Sequence, residues 1–198
     1  MSADRARVGV LISGSGSNMQ ALVDAARAPD CPYAVALIIS NRPDAPGLAR
    51  AERLGVPAIA INHRPFGRDR EAHERAVDAA LRDARVEWVA LAGYMRVLTP
   101  WFVAAWAGRM LNIHPSLLPA FPGLNPQAQA LAAGVPESGC TVHLVTDGVD
   151  AGPILGQTRV PVLPGDTEAS LAARILAEEH RLYPACLAAA VRNVGPTA

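Results

Sequence analysis

Asn112 and His114 stand two residues apart at the end of the apolar segment Met110-Leu-Asn-Ile-His114. If that segment is a strand, its period of two points both side chains to one face. Pro115 and Pro119 stop the strand, so the pair would stand at its exposed carboxyl end, where open α/β sheets bind ligands. An amide donor, a titratable imidazole and a nearby carboxylate are the parts that acyl transfer needs. In such a transfer the attacking amine sheds a proton while the carbonyl oxygen gathers negative charge. The Asn112 amide and a protonated His114 can stabilise that oxyanion. A carboxylate beside the imidazole favours its cation. The acidic turn Thr146-Asp-Gly-Val-Asp150 supplies two candidates, Asp147 and Asp150, equal by spacing alone. His143 shares a strand face with Thr141 and Val145 and reads as a supporting or structural residue rather than a catalytic one.

A second pattern lies near the start of the chain. Gly14, Ser15, Gly16, Ser17 and Asn18 join a strand-like run to a helix-like one. Free N–H groups and the helix dipole make such a turn an anion site. Met19 occupies the third-glycine position of a dinucleotide fingerprint, and no Lys-Ser/Thr follows as in a Walker loop. The small hydroxyls suit a single phosphate on a metabolite; the plainer reading is a tight turn whose glycines let helix and strand pack.

The elements that must position these residues alternate. Strands are expected at 8–12, 34–39, 57–61, 87–92 and 109–113, with helices at 19–26, 48–54, 68–85, 99–106 and 128–133. Gly55 is the expected terminator of the second helix. Nearly continuous apolar strands separated by helices predict a doubly wound, mostly parallel α/β sheet flanked by helices. Segments 141–145 and 154–162 are β-rich and close together, an antiparallel addition in the C-terminal part. A long helix over 167–191 follows, capped by Asp166 or Thr167, with Pro184 expected to kink or interrupt it. One domain over 1–198 is expected, long enough for a full core.

Charge and composition exclude several functions. Lys+Arg and Asp+Glu balance at 18 each, so no single-sign field draws nucleic acid or an anionic membrane. Every basic residue is Arg, which rules out Schiff-base and P-loop lysine chemistry. Cys31, Cys140 and Cys186 form neither a metal pattern nor a disulfide framework, and the last two lie in apolar runs as small core residues. The histidines at 63, 73, 114, 143 and 180 show no paired ligand spacing, so no metal is expected. His180 beside Glu178 and Glu179 reads as a solvated helix face, as does His73 among Arg70, Glu71 and Glu74. With no signal-peptide core and no long apolar span, a cytoplasmic protein is expected.

The chain resembles the phosphoribosylglycinamide formyltransferases, folate-dependent enzymes of purine synthesis, over nearly its whole length. The matching segments are Val10-Leu-Ile-Ser-Gly-Ser-Gly-Ser-Asn-Met-Gln-Ala21, Ser40-Asn-Arg-Pro-Asp-Ala45, Leu91-Ala-Gly-Tyr-Met-Arg-Val-Leu98, Gly108 to Pro119, and Thr141 to Pro153. The resemblance implies a phosphate- and nucleotide-binding half over about 1–100 and a folate-binding, catalytic half over about 90–198. It implies His114 as the catalytic imidazole, Asn112 as the oxyanion donor and Asp150 rather than Asp147 as the carboxylate. It assigns Gly16, Ser17 and Asn18 to the ribonucleotide phosphate, and Glu179, with the helix from Leu176, to the same substrate. The folate pocket would be formed by Arg70, Met95, Arg96, Val97 and Leu98 with Asn112 and with Thr146, Asp147, Gly148, Val149 and Asp150. The implied co-substrate is 10-formyltetrahydrofolate and the partners are small molecules, in a monomer or homodimer.

One segment departs from the pattern. Where relatives usually carry a histidine- or aspartate-led stretch after Phe121-Pro-Gly-Leu124, often with Thr-His, this chain has Asn125-Pro-Gln-Ala128. Neither amide can carry charge or shuttle a proton, and Pro126 fixes φ beside the site. The alternative functions are a formylfolate hydrolase, with water replacing the amine, and a variant transferase acting on another small amine.

Overall fold

The computed structural model of the protein describes residues 5–194. In chain order the elements are β1 (Ala6–Ile12), α1 (Ser17–Ala26), β2 (Tyr33–Ser40), α2 (Pro46–Arg53), β3 (Ala58–Ala60), α3 (Arg70–Asp83), β4 (Trp88–Leu91), α4 (Pro100–Ala105), β5 (Met110–His114), α5 (Pro126–Ala133), β6 (Glu137–Leu144), β7 (Ile154–Pro161) and α6 (Glu168–Val194), with one 3-10 turn at Arg64–Phe66. The strands form one seven-stranded sheet in the order β3-β2-β1-β4-β5-β6-β7. The first five are parallel; β6 pairs antiparallel with β5, and β7 with β6. Both the doubly wound sheet and its antiparallel addition are as the sequence predicts.

Alternation along the strands sends side chains into two cores. Val8, Val10, Ile12, Trp88, Ala90, Leu111 and Ile113 face α1 and α6, whereas Leu11, Ile39, Val89, Leu91 and Met110 face α3 and α4. The crossovers after β1 and after β4 therefore run over opposite faces of the sheet. Their carboxyl ends diverge there, and that is where an open sheet leaves a crevice.

Local signals explain most boundaries. Asp69 caps α3 by accepting from the Ala72 N–H at 2.9 Å, and Thr99 with Pro100 opens α4. Gly55, at φ +73°, follows the end of α2 as its left-handed terminator. β6 begins four residues earlier than expected because Glu137 pairs with Pro161 of β7. α6 runs unbroken through Pro184, so of the expected kink or interruption the interruption does not occur. Tyr183, Cys186 and Leu187 around the proline are buried, and the Tyr183 hydroxyl reaches the carbonyls of Leu91 at 3.0 Å and Leu111 at 3.1 Å. That anchoring outweighs the one helical hydrogen bond that proline removes. Among the described residues no helix is long and apolar enough to cross a membrane.

Candidate active site

At the carboxyl ends of β1 and β4 a cavity of about 490 Å³ opens over Ser13 to Asn18. Gly16 sits in the left-handed region at φ 70°, turning the chain so that α1 begins at Ser17. Gly47 at the start of α2 packs against this loop, with its N–H on the Gly14 carbonyl at 2.9 Å. A Cβ there would come 2.9 Å from that oxygen and 2.5 Å from Ile12, so only glycine allows the approach. Asn18 donates through Nδ2 to Glu179 Oε2 at 2.7 Å. Glu179 is 5% exposed, because α6 packs on α1, so a solvated helix face is wrong for this residue. Burial pushes its carboxyl up, against the hydrogen bond from Asn18.

The same reading fails for two histidines. His73 is fully buried: the 3-10 turn folds Phe66 against its ring edge, and its Nε2 lies 2.9 Å from the Ile61 carbonyl. Burial, together with the positive charge of Arg96 and His63, holds it below the usual imidazole range. His180 is half-buried with Nε2 enclosed, and burial with the charge of Arg50 pulls it down too.

The second group lies on β5 and β6, over the face that packs α3 and α4. Asn112 and His114 share that face, and the antiparallel register sets His143 beside Asn112. Asp150 arrives from the loop after β6, with φ 53°, a conformation aspartate tolerates better than most residues. Its Oδ2 is 3.3 Å from His114 Nδ1 and its Oδ1 is 3.5 Å from His143 Nε2 and 3.4 Å from Asn112 Nδ2. Asn112 Nδ2 also meets His143 Nε2 at 3.2 Å. Asp147, equal by spacing, is exposed and makes no hydrogen bond among the described residues. His143 is thus a contacting member of the cluster, closer to its centre than the sequence suggests.

Burial alone would raise the Asp150 carboxyl. The hydrogen bonds from His143 and from the Gly123 N–H, with the charge of the two imidazoles, hold it below the ordinary carboxylate range instead. His114 is 5% exposed, not open at the strand end, since residues 115–123 fold over it. Its Nε2 sits 2.9 Å from the Phe121 carbonyl. With a carboxylate at one nitrogen and a carbonyl at the other, the ring uses both N–H groups as donors only when it is a cation.

The remaining predicted residues surround these two groups. Met95 and Val97 expose apolar surface, as do Val149 and Leu124 across the site. The Met95 N–H rests on Ser13 Oγ at 2.8 Å, Arg70 reaches the Val97 carbonyl at 3.4 Å, and Arg96 lines the cavity. Leu98 instead packs into the second core, and Thr146 is half-buried. The unusual 125–128 segment makes no hydrogen bond to the cluster among the described residues. Phe121 and Gly123 make those contacts through their backbones, and Asn125 serves as the left-handed residue before α5. Sequence reasoning assigned no role to Ser13, Asn41, His63 or Gly47. Ser13 lies in the Val10–Ala21 match and Asn41 in the Ser40–Ala45 match, whereas nothing in the sequence signalled His63 or Gly47.

The arrangement offers an anion cavity, a half-buried amide, an imidazole between two acceptors and exposed apolar walls, set on neighbouring interior strands of the sheet and the loops that follow them. The formyl transferase family model matches residues 6–187. The phosphoribosylglycinamide formyltransferase of Escherichia coli is 45% identical over 88% of this chain and 82% of its own. A crystal structure of phosphoribosylglycinamide formyltransferase from Brucella melitensis is 49% identical, covering 98% of this chain and 99% of that one at a TM-score of 0.90. The trifunctional purine biosynthetic protein adenosine-3 of Drosophila melanogaster is 51% identical over 98% of this chain, which spans 14% of that protein's length.

Proposed function

The chain belongs to the formyl transferase family, and we propose that it transfers the formyl group of 10-formyltetrahydrofolate to the amine of phosphoribosylglycinamide. The observation that carries the reading is the Asn112–His114–Asp150–His143 cluster on β5 and β6, next to β4, at whose carboxyl end a metabolite-sized cavity opens onto the Gly16–Asn18 loop and Met95 and Val97 expose apolar surface. The ribonucleotide phosphate takes the N–H groups of Gly16, Ser17 and Asn18 at the start of α1. Glu179, held by Asn18, meets the glycinamide part. The exposed apolar surface of Met95, Val97 and Val149 fits the flat ring of a folate, with Arg96, Leu98 and the turn from Thr146 to Asp150 around it. Arg70 stands at the outer end for the acidic arm.

The chemistry then follows from charge. The amine nitrogen attacks the formyl carbon, and the carbonyl pair moves onto oxygen. Asn112 Nδ2 and the His114 N–H stabilise that oxyanion, which His114 can do once the substrate oxygen replaces the Phe121 carbonyl. The ionised Asp150 orients the imidazole and stabilises positive charge on it as the oxyanion forms. As the intermediate collapses, the carbon–nitrogen bond to the folate breaks, the leaving nitrogen takes a proton and the new amide nitrogen has given one up. The products are the N-formyl ribonucleotide and tetrahydrofolate. Both substrates are small metabolites, consistent with a cytoplasmic enzyme.

Incubating the purified protein with both substrates and following folate absorbance tests the proposal. Turnover should require the ribonucleotide and vanish in His114→Ala with the fold intact. Folate breakdown independent of the ribonucleotide would instead mark a hydrolase, with water as the nucleophile.

A further inference from the structure

One wall of the phosphate cavity is built from residues that the proposed reaction leaves without a task. Ser13 and Asn41 are 5% and 3% exposed. The Ser13 hydroxyl accepts from the Met95 N–H at 2.8 Å and donates to Asn41 Oδ1 at 2.6 Å. This fixes the Asn41 amide with its oxygen on the serine and Nδ2 toward His63. His63 Nδ1 lies 2.8 Å from the Asn41 backbone carbonyl and 3.2 Å from Asn41 Nδ2. One ring nitrogen cannot donate to the carbonyl and accept from the amide together. The carbonyl contact is the shorter, and a bare nitrogen lone pair 2.8 Å from a carbonyl lone pair would be repelled. Nδ1 therefore carries the hydrogen.

Two polar groups are then left over. Asn41 Nδ2 has no acceptor, and His63 Nε2 makes no hydrogen bond among the described residues although it is not enclosed. Both residues line the cavity, as do Arg42 and Arg96, and no Asp or Glu does among the described residues. Arg42 is turned toward Asp44 at 2.8 Å, and Arg96 has a buried Nε without a partner. The wall is rich in donors and has no negative charge.

We propose that His63, taking a second proton at Nε2 from solvent or from the monoester as the anion binds, and Asn41 Nδ2 form the second half of the phosphate cradle, donating to oxygens of the monoester that the Gly16–Asn18 N–H groups hold from the other side. This rests on the phosphate reading of that loop. Ser13 is the positioning residue: it aligns the Asn41 amide and also holds the Met95 N–H of the neighbouring segment.

Side-chain nitrogen NMR of the protein labelled with ¹⁵N-histidine and ¹⁵N-backbone, titrated with ribose 5-phosphate, tests the proposal directly. The His63 Nε2 resonance should move and saturate in step with the Gly16, Ser17 and Asn18 amides, while ribose alone leaves it in place. In steady-state assays His63→Ala should raise KM for the ribonucleotide about 10-fold, the size of one charge-assisted hydrogen bond, with kcat within about twofold. His63→Gln, which can place an N–H near the same point, should recover most of the loss. If the loop amides move and His63 does not, the proposal is overturned and the phosphate reading stands. If neither moves, both fall. A His63 shift on ribose alone would assign the donors to a hydroxyl and overturn the proposal as well. Should His63→Ala fail to fold, the wild-type titration still decides.

Discussion

At the scale of single residues the site separates identity from position. Residue types and a spacing of two placed Asn112 and His114 on one face, but spacing left Asp147 and Asp150 equal; the family resemblance favoured Asp150, and the physical difference between them lies in the loop conformation. That conformation depends on a left-handed Asp150 and on a Gly123 N–H from a distant segment, neither of which local sequence encodes. Removing the Asn112 donor by Asn112→Ala should lower kcat about 100- to 1,000-fold, the range for a lost oxyanion donor, with KM for the ribonucleotide little changed. Asp147→Asn should leave kcat within about twofold, whereas Asp150→Asn should lower it about 100-fold or more. Equal losses from the two aspartates, in the folate absorbance assay, would remove the charge of Asp150 from the mechanism. Because the folded carboxyl of Asp150 is held below its ordinary range, its stabilising contribution is present above about pH 4 and is lost as pH falls through the folded value. Urea midpoints of the wild type and Asp150→Asn should therefore converge in acid.

Secondary-structure elements show where sequence reading succeeds. Apolar runs and helical spacing gave every strand and helix to within a few residues. The misses came from packing: Pro184 is carried through α6 because buried neighbours hold both sides, and His73 is buried because the 3-10 turn covers α3. Glu179 is the clearest case, a carboxylate among charged neighbours that α1 encloses. Its pKa is raised, the opposite sense to Asp150, so the stability it contributes is complete below about pH 4.3 and declines as pH rises through the folded value. Glu179→Gln should flatten that decline in urea titrations from pH 4 to 7 and raise KM for the ribonucleotide. A slope unchanged in the variant would mean that the carboxyl is hydrated. The contact of α2 with the phosphate loop gives another test. Gly47→Ala must push Ile12 or the Gly14 carbonyl aside, costing about 1–3 kcal/mol by overpacking. It should weaken ribonucleotide binding more than folate binding, as read by calorimetry.

For the molecule as a whole, the fold was legible because parallel strands buried on both faces leave few alternatives to a doubly wound sheet. The site was legible only in part, since it is assembled from chain segments that meet after the sheet has formed. Ribonucleotide at about 100 times its Kd should add about 2.7 kcal/mol to stability, a rise of about 5–10 °C in Tm for a chain of this size. Absence of that rise in a thermal melt would show that the cavity is not a binding site. The strand order carries a further consequence, for how the site comes into being. β1 pairs with β4, Val8 opposite Trp88 and Leu11 opposite Leu91, across β2, β3 and their helices. The Ser13 N–H rests on the Gly93 carbonyl at 3.1 Å, and the Ser13 hydroxyl holds Met95. Closing so long a loop is slow compared with forming a helix or a local turn. The phosphate loop is written among the first twenty residues, yet during synthesis its cavity lacks the wall from Ala92 to Arg96 until the chain has grown past that segment.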